Sequence, residues 1–111
     1  MNISYEGIGR LTVTMPADNC VAGDVCIITA AGAAACSLGG KFCGVVEAVE
    51  NGMAAVQVEG FVKAKYAGTA PSVGYANLAA TGNGGVSANA NGDSYLVVAV
   101  DTANKQVVIK L

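Results

Sequence analysis

The chain has 111 residues, of which 53% are hydrophobic, and a formal net charge of −2. This length fits one domain that buries roughly two-thirds of its unfolded surface, and the high apolar content is unlike that of a disordered segment. The six basic residues are scattered along an acidic chain, which argues against nucleic acid as a partner because phosphate backbones are bound by clustered cations.

The N-terminal residues Met1–Glu6 contain neither a basic region nor an apolar core. We therefore expect no secretory signal, and we expect synthesis in a cytoplasm. The longest apolar window without charge, Val25–Gly40, is interrupted by glycines and is shorter than a typical membrane span. The sequence thus predicts no contact with a membrane.

The first apolar runs are short and bounded by turn formers. Leu11–Met15 alternates branched residues and predicts a strand that ends at Pro16–Asn19. Val25–Thr29 is apolar on both sides, which is typical of a strand buried on both faces. Ala30–Ala35 has helical propensity but is interrupted by Gly32 and lacks a cap, so we predict a loop or a brief turn.

Four cysteines lie within residues 20–43, and their spacing contains no Cys-x-x-Cys pair. The chain has no histidine to complete a mixed metal site. We favour reduced thiols buried in the core. A disulfide in a mature extracellular particle and a metal site are the less favoured alternatives. The residues concerned are Cys20, Cys26, Cys36 and Cys43.

Residues 42–66 give the clearest structural signal, because two Val- and Ala-rich runs flank Asn51-Gly52. This dipeptide tolerates the positive φ angles of a type I′ hairpin turn. The second run continues through Gly60 and Phe61 without a helix signal. The predicted opposed pairs are Glu50–Met53, Val49–Ala54, Ala48–Ala55, Glu47–Val56, Val46–Gln57, Val45–Val58 and Phe42–Phe61.

Neither face of this predicted hairpin is properly polar. One face must pack on the core, so we expect the other to contact something besides water. The candidate interface residues are Phe42, Val46, Ala48, Ala55, Phe61 and Lys63.

The C-terminal half again alternates short apolar runs with turns. Tyr75–Leu78 predicts a short strand, and the Gly- and Asn-rich residues 81–93 predict a surface loop or short hairpin that matches neither nucleotide-binding pattern. Tyr95–Val100 and Gln106–Leu111 predict a second hairpin around residues 101–105. Residues 11–111 are therefore expected to form one all-β domain, a small barrel or sandwich of about seven to nine strands.

The sequence shows no catalytic apparatus. A hydrolytic triad usually needs a histidine base, and none is present. No base is evident that would activate a serine or cysteine nucleophile. We therefore expect no enzyme activity and no cofactor. Charged residues make up only 13% of the chain, about half of the ~25% usual in soluble domains. This favours an exterior covered by other subunits over a neutral but polar monomer.

The layout of short glycine-based motifs also resembles a family of tailed-bacteriophage capsid cement proteins, or head decoration proteins, once catalogued as a domain of unknown function. The resemblance runs from about Gly7 to Leu111. Gly60-Phe-Val-Lys63 is its most specific part, whereas the four cysteines are not part of the family pattern. The residues that carry it are Gly9-Arg10-Leu-Thr-Val-Thr, Ala22-Gly23-Asp24, Gly44-Val-Val-Glu-Ala, Val56-Gln-Val-Glu-Gly60-Phe-Val-Lys63, Gly68-Thr-Ala-Pro71 and Val73-Gly74-Tyr75.

The resemblance implies a β-rich homotrimer on the outside of an expanded phage capsid, where it bridges neighbouring major capsid protein subunits. Residues 1–10 would then be either an arm that orders on the capsid or a terminus that frays or pairs with a strand edge. The alternative is a small β-barrel adaptor that takes a partner at an open strand edge. A third hypothesis is a metal or redox protein that uses the cysteines.

Overall fold

A computed structural model describes residues 9–111, so the predicted N-terminal arm lies almost entirely outside the described residues. The described chain contains β-strands and no helix. Its ten strands are β1 (Leu11–Asp18), β2 (Val25–Thr29), β3 (Gly32–Ala35), β4 (Gly44–Glu50), β5 (Met53–Glu59), β6 (Phe61–Lys65), β7 (Gly74–Ala80), β8 (Val86–Ala88), β9 (Asp93–Asp101) and β10 (Gln106–Lys110).

The strands form two sheets, which confirms the all-β prediction. The first is a closed barrel with the order β1-β3-β2-β4-β5, and the second is an open sheet with the order β6-β10-β9-β7-β8. The β1–β3 pair is parallel, and the other strand pairs of both sheets are antiparallel. The strand count exceeds the prediction partly because residues 32–35, expected in a loop or turn, form β3 between β1 and β2.

Two apolar clusters form the core. One lies inside the barrel and includes Cys26, Val46 and Val56. The other joins the barrel to the second sheet, because Val25 and Phe42 pack with residues of β6, β7, β9 and β10. The barrel and the second sheet therefore share one core and form a single unit.

The Asn51-Gly52 hairpin is present, with both residues at positive φ (53° and 78°). Its pairs up to Ala48–Ala55 are confirmed. Beyond them a β-bulge at Glu47 shifts the register, so Val46 faces Val56 and Val45 faces Gln57. The pairs predicted further along the hairpin are therefore wrong, because a bulge adds one residue to one strand only.

The chain leaves the barrel at Gly60, which was expected to lie within a continuous run. Gly60 has φ of 94°, and a Cβ there would lie 2.9 Å from the carbonyl oxygen of Gly9. Glycine is needed because it alone combines this conformation with so close a backbone approach. As a result β6 starts at Phe61 in the second sheet, and Phe61 pairs with Lys110 instead of facing Phe42.

Two further predictions on early strands need correction. Strand β1 continues through Pro16 to Asp18 instead of ending at Met15. In β2, Val25 and Cys26 are buried, but Ile27 and Ile28 are 40% and 44% exposed. The pairing of β2 with β4 covers only Val25 and Cys26, so the outer half of this strand has β3 as its one sheet neighbour.

Candidate interaction surface

The second sheet has one face on the core and one face turned away from it. Val62, Ala64, Val107, Ile109 and Val97 point into the core. Because side chains alternate along a strand, their neighbours in sequence point outward. These outward residues define the outer face: Phe61, Lys63 and Lys65 on β6, Gln106, Val108 and Lys110 on β10, Leu96, Ala99 and Asp101 on β9, and Tyr75 and Asn77 on β7.

The outer face combines apolar side chains with lysines. One row runs across four strands through Phe61, Lys110, Leu96 and Tyr75. Tyr75, at the open end of this row where β7 has only β9 as a neighbour, is an aromatic ring that is 80% exposed. Lysine is the one charged residue type in this row, and its long aliphatic stem can cover apolar neighbours while its ammonium group stays in water.

Two shallow depressions accompany this face. One, of about 360 Å³, lies beside Tyr75, Leu96 and Lys110. The other, of about 210 Å³, lies between Lys63, Val108 and Asp101. Concave surfaces of this kind can accept protruding side chains of a partner.

The six interface candidates from the sequence fall into three places. Phe42 and Val46 are 1% exposed, so they cannot contact a partner and their proposal as interface residues is wrong. Phe42 instead stacks on Tyr95, with ring centroids 4.4 Å apart, and the bulge turns Val46 into the barrel. The others remain accessible: Ala48 and Ala55 on the barrel, and Phe61 and Lys63 on the outer face.

Ala48 and Ala55 belong to a smooth patch on the outside of the barrel. They pair with each other, and Ala55 also faces Thr14 of β1. The next row holds Met53, which is 41% exposed, opposite Glu50. This patch lacks the lysines of the outer face.

The four cysteines are free thiols. Cys20, Cys26 and Cys36 are buried, as predicted, whereas Cys43 is exposed, contrary to that prediction. Burial raises the pKa of Cys26 to about 12, so its thiol stays protonated and unreactive near neutral pH.

Ionisable side chains are otherwise dispersed. Within residues 9–111, no three His, Cys, Asp or Glu side chains come together as a metal-binding group would. The Glu47 carboxylate, on the bulge, is paired with Arg10 and accepts a hydrogen bond from Thr12 at 3.3 Å. In the same part of the chain, no helix is long and apolar enough to cross a membrane.

Charge is divided unequally between the two sheets. Residues 9–59, which include the barrel, carry two basic and five acidic residues and a net charge of −3. Residues 60–111 carry four lysines and two aspartates and a net charge of +2. The outer face thus belongs to the basic half of an acidic protein.

Sequence reasoning missed Leu96 and Tyr75 as surface residues. The signal was present in Tyr95–Val100, where every residue is apolar. Such a run exceeds what one buried face requires, so it predicts that the second face of this strand is also apolar.

Comparisons with protein-family models, with curated proteins and with solved structures find no match to this chain.

Proposed function

We propose that this protein is a non-enzymatic structural protein that binds the outside of a tailed-phage capsid and bridges major capsid subunits. The outer face of the second sheet is the observation that carries the proposal. It presents Tyr75, Leu96 and Phe61 beside three lysines, on a rigid sheet backed by the core. A face that alternates apolar side chains with lysines suits protein docking better than small-molecule chemistry.

The chemistry of this face also defines its partner. The partner surface would present apolar side chains to Tyr75 and Leu96, and carboxylates to Lys63 and Lys110. Each contact can be weak, because many copies on one particle raise the effective concentration and so strengthen the overall binding. Location on the capsid exterior, after synthesis in a bacterial host cytoplasm, is part of the same proposal.

The glycine motifs of the family resemblance support the proposal through the fold. Gly60 makes the corner between the sheets. Gly44 lies where a Cβ would be 2.7 Å from the carbonyl oxygen of Gln57. Both positions admit only glycine for steric reasons, so the resemblance concerns residues that build this two-sheet arrangement.

Self-association is the second part of the proposal. The Ala48–Ala55 patch and the outer face lie on different sheets, so one can contact sister subunits while the other contacts the capsid. We expect light scattering to give three times the 10.9 kDa chain mass. A stable monomer at the concentration used for capsid binding would contradict the homotrimer.

Co-sedimentation tests the capsid partner. Capsids assembled from the major capsid protein of the same phage genome, in the expanded form, should pellet the protein at saturable stoichiometry. Capsid-free samples measure background. Failure to pellet with expanded capsids would contradict the proposal.

The alternative, an adaptor that adds a partner strand at an open sheet edge, receives less support. The edge strand β6 carries Lys63 and Lys65, which discourage edge pairing. Its first carbonyl, on Phe61, already accepts a hydrogen bond from the Gln57 side chain at 2.9 Å. Beyond its end, Tyr66 forms a bridge to Val86 of β8. Little of this edge is left for a partner strand.

A further inference from the structure

A cleft of about 390 Å³ lies at one end of the second sheet and shares Lys65 with the outer face proposed for docking. The end of β6, the loop of residues 81–85 and the turn between β9 and β10 enclose it. Two lysines, two asparagines, a threonine and a buried tyrosine line it: Lys65, Lys105, Asn83, Asn104, Thr81 and Tyr66. Among residues 9–111, no carboxylate is part of the lining.

Backbone hydrogen bonds hold the walls of the cleft in place. In the loop, the Thr81 N–H donates to the Gly85 carbonyl at 3.0 Å, and the Asn83 N–H donates to the Thr81 hydroxyl oxygen at 3.2 Å. On the opposite wall, the Tyr66 N–H donates to the Lys105 carbonyl at 3.0 Å. The cleft is therefore formed before any ligand arrives.

Lys105 supplies a positive charge that no carboxylate of the described part of the chain pairs with. Its ammonium nitrogen lies 5.6 Å from the ring centroid of Tyr66. Ion pairs within residues 9–111 involve Arg10 and Lys65 only. The carboxylate in the same turn, Asp101, accepts the N–H groups of Ala103 and Asn104 and the Asn104 side-chain amide. These hydrogen bonds lower the pKa of Asp101.

Lys65, the second cation in the lining, forms an ion pair with a carboxylate at the edge of the cleft. Its ammonium nitrogen lies 3.7 Å from Oδ1 of Asp24, and the Asp24 side chain is 13% exposed. Gly84 packs against this carboxylate so closely that a Cβ would lie 2.1 Å from Asp24 Oδ1. Asp24 therefore positions Lys65 and partly neutralises it.

We propose that this cleft binds the oxyanion group of a small molecule, a carboxylate or a phosphate. The Lys105 ammonium is the principal donor. The neutral donors beside it are the Asn83 side-chain amide and the second N–H of the Asn104 amide, whose first N–H donates to Asp101. Charge-assisted hydrogen bonds of this type are stronger than neutral ones. The site is independent of the capsid-binding proposal, because Lys105 and Asn83 lie outside the rows that form the outer face.

Amide chemical shifts in ¹⁵N-labelled protein provide the test, at low ionic strength where screening is weak. Inorganic phosphate and acetate are titrated separately against chloride at the same ionic strength. We expect saturable shifts at Asn83, Gly85 and Lys105 with one or both anions. The anion that binds more tightly identifies the preferred oxyanion. Absence of saturable shifts in the cleft with both anions would overturn the proposal.

Three variants test which charged side chains determine the affinity for the anion. Lys105→Gln should weaken binding about tenfold, the loss expected for one hydrogen bond to a charged group. Lys110→Gln, the matched control on the outer face, should change affinity less than about twofold. Asp24→Asn should tighten binding several-fold, because Lys65 is then free to face the anion. Equal losses in the two lysine variants, or weaker binding by Asp24→Asn, would contradict the assignment.

Discussion

Gln57 is the buried polar side chain at the corner where the chain leaves the barrel, and it is 4% exposed. Its side-chain nitrogen donates hydrogen bonds to the carbonyls of Glu59 at 3.0 Å and Phe61 at 2.9 Å. These two carbonyls flank Gly60, where strand pairing is interrupted between the sheets. One side chain thus connects the two carbonyls on either side of the corner.

Gln57→Met keeps the length of the side chain but removes both hydrogen bonds. We expect the free energy of unfolding in urea to fall by about 2 kcal/mol, because two carbonyl acceptors lose their donor in a partly buried site. Gln106→Met, on the outer face, is the matched control and should cost less than about 0.5 kcal/mol. Equal losses in both variants would show that Gln57 does not support the corner.

Tyr95 links the barrel to the second sheet over a long sequence separation. Its ring stacks on Phe42 at 4.4 Å, and its hydroxyl donates to the Phe42 carbonyl at 2.9 Å. Burial, with a smaller contribution from the Asp93 carboxylate, raises the pKa of Tyr95 to about 12. A tyrosine in an unfolded chain has a pKa of about 10. Folding therefore favours the protonated form of Tyr95.

This pKa shift predicts how stability depends on pH. The contribution of Tyr95 is fully present below pH ~10 and is lost as the pH rises toward about 12, where the folded protein also loses the proton. Tyr95→Phe should cost about 1 kcal/mol at neutral pH and should reduce the decline of unfolding free energy above pH ~10. The matched control is Tyr75→Phe, whose ring is 80% exposed. If Tyr95→Phe declined as steeply as the wild type, the hydroxyl would not be the titrating group.

Single residues also show why the pairing partners of Phe42 and Val46 could not be predicted. The apolar pattern correctly placed Val46 in a strand, whereas Phe42 lies before β4 and outside any strand. It could not reveal the bulge at Glu47, because a bulge depends on how β4 fits its neighbours in the barrel. Nor could it reveal the Phe42–Tyr95 stack, which joins residues 53 apart in the sequence.

At the scale of strands, the corner between β5 and β6 decides the architecture. Continuing β5 past Glu59 would extend the barrel strand, whereas the positive φ of Gly60 redirects the chain into the second sheet. The sequence identified the turn at Gly52 from its neighbour Asn51. The turn at Gly60 lacked such a local signal, since its need for glycine comes from the nearby backbone of Gly9 and Arg10.

Gly60→Ala and Gly52→Ala distinguish a glycine required by a close backbone approach from a glycine required only by its positive φ. Both have positive φ, but a Cβ at Gly60 would lie 2.9 Å from a carbonyl oxygen, whereas a Cβ at Gly52 would have no atom within 4 Å. We expect Gly52→Ala to cost about 1 kcal/mol from backbone strain. Gly60→Ala should cost about 3 kcal/mol, because overpacking adds to that strain. Urea unfolding measures both values, and a smaller loss for Gly60→Ala would contradict the close approach.

At the scale of the whole molecule, charge divides the protein into two unlike halves. The barrel half carries a net charge of −3 over residues 9–59, and the half that contains the second sheet carries +2. The pattern of short strands predicted an all-β protein, and the low charge favoured a covered exterior. Neither could assign the proposed contact surface to the second sheet, because that depends on which strand faces remain after the core has formed.

The charge division predicts that capsid binding depends on salt. The lysines of the outer face, Lys63, Lys65 and Lys110, should attract an acidic partner surface and accelerate association. Raising the ionic strength from ~0.05 M to ~0.5 M should therefore slow association several-fold, as measured by surface-immobilised capsids in a flow cell. Lys63→Gln combined with Lys110→Gln should flatten this dependence. Faster association at high salt would contradict a basic docking face.

Tyr75 and Leu38 provide the most direct test of the docking face, because both are 80% exposed and only Tyr75 lies on that face. Neither substitution to serine should disturb the core. In co-sedimentation with expanded capsids, Tyr75→Ser should weaken binding about tenfold or more, as expected for an aromatic anchor at an interface. Leu38→Ser should bind like the wild type. Wild-type binding by Tyr75→Ser, or equal losses in the two variants, would contradict docking through the outer face of the second sheet.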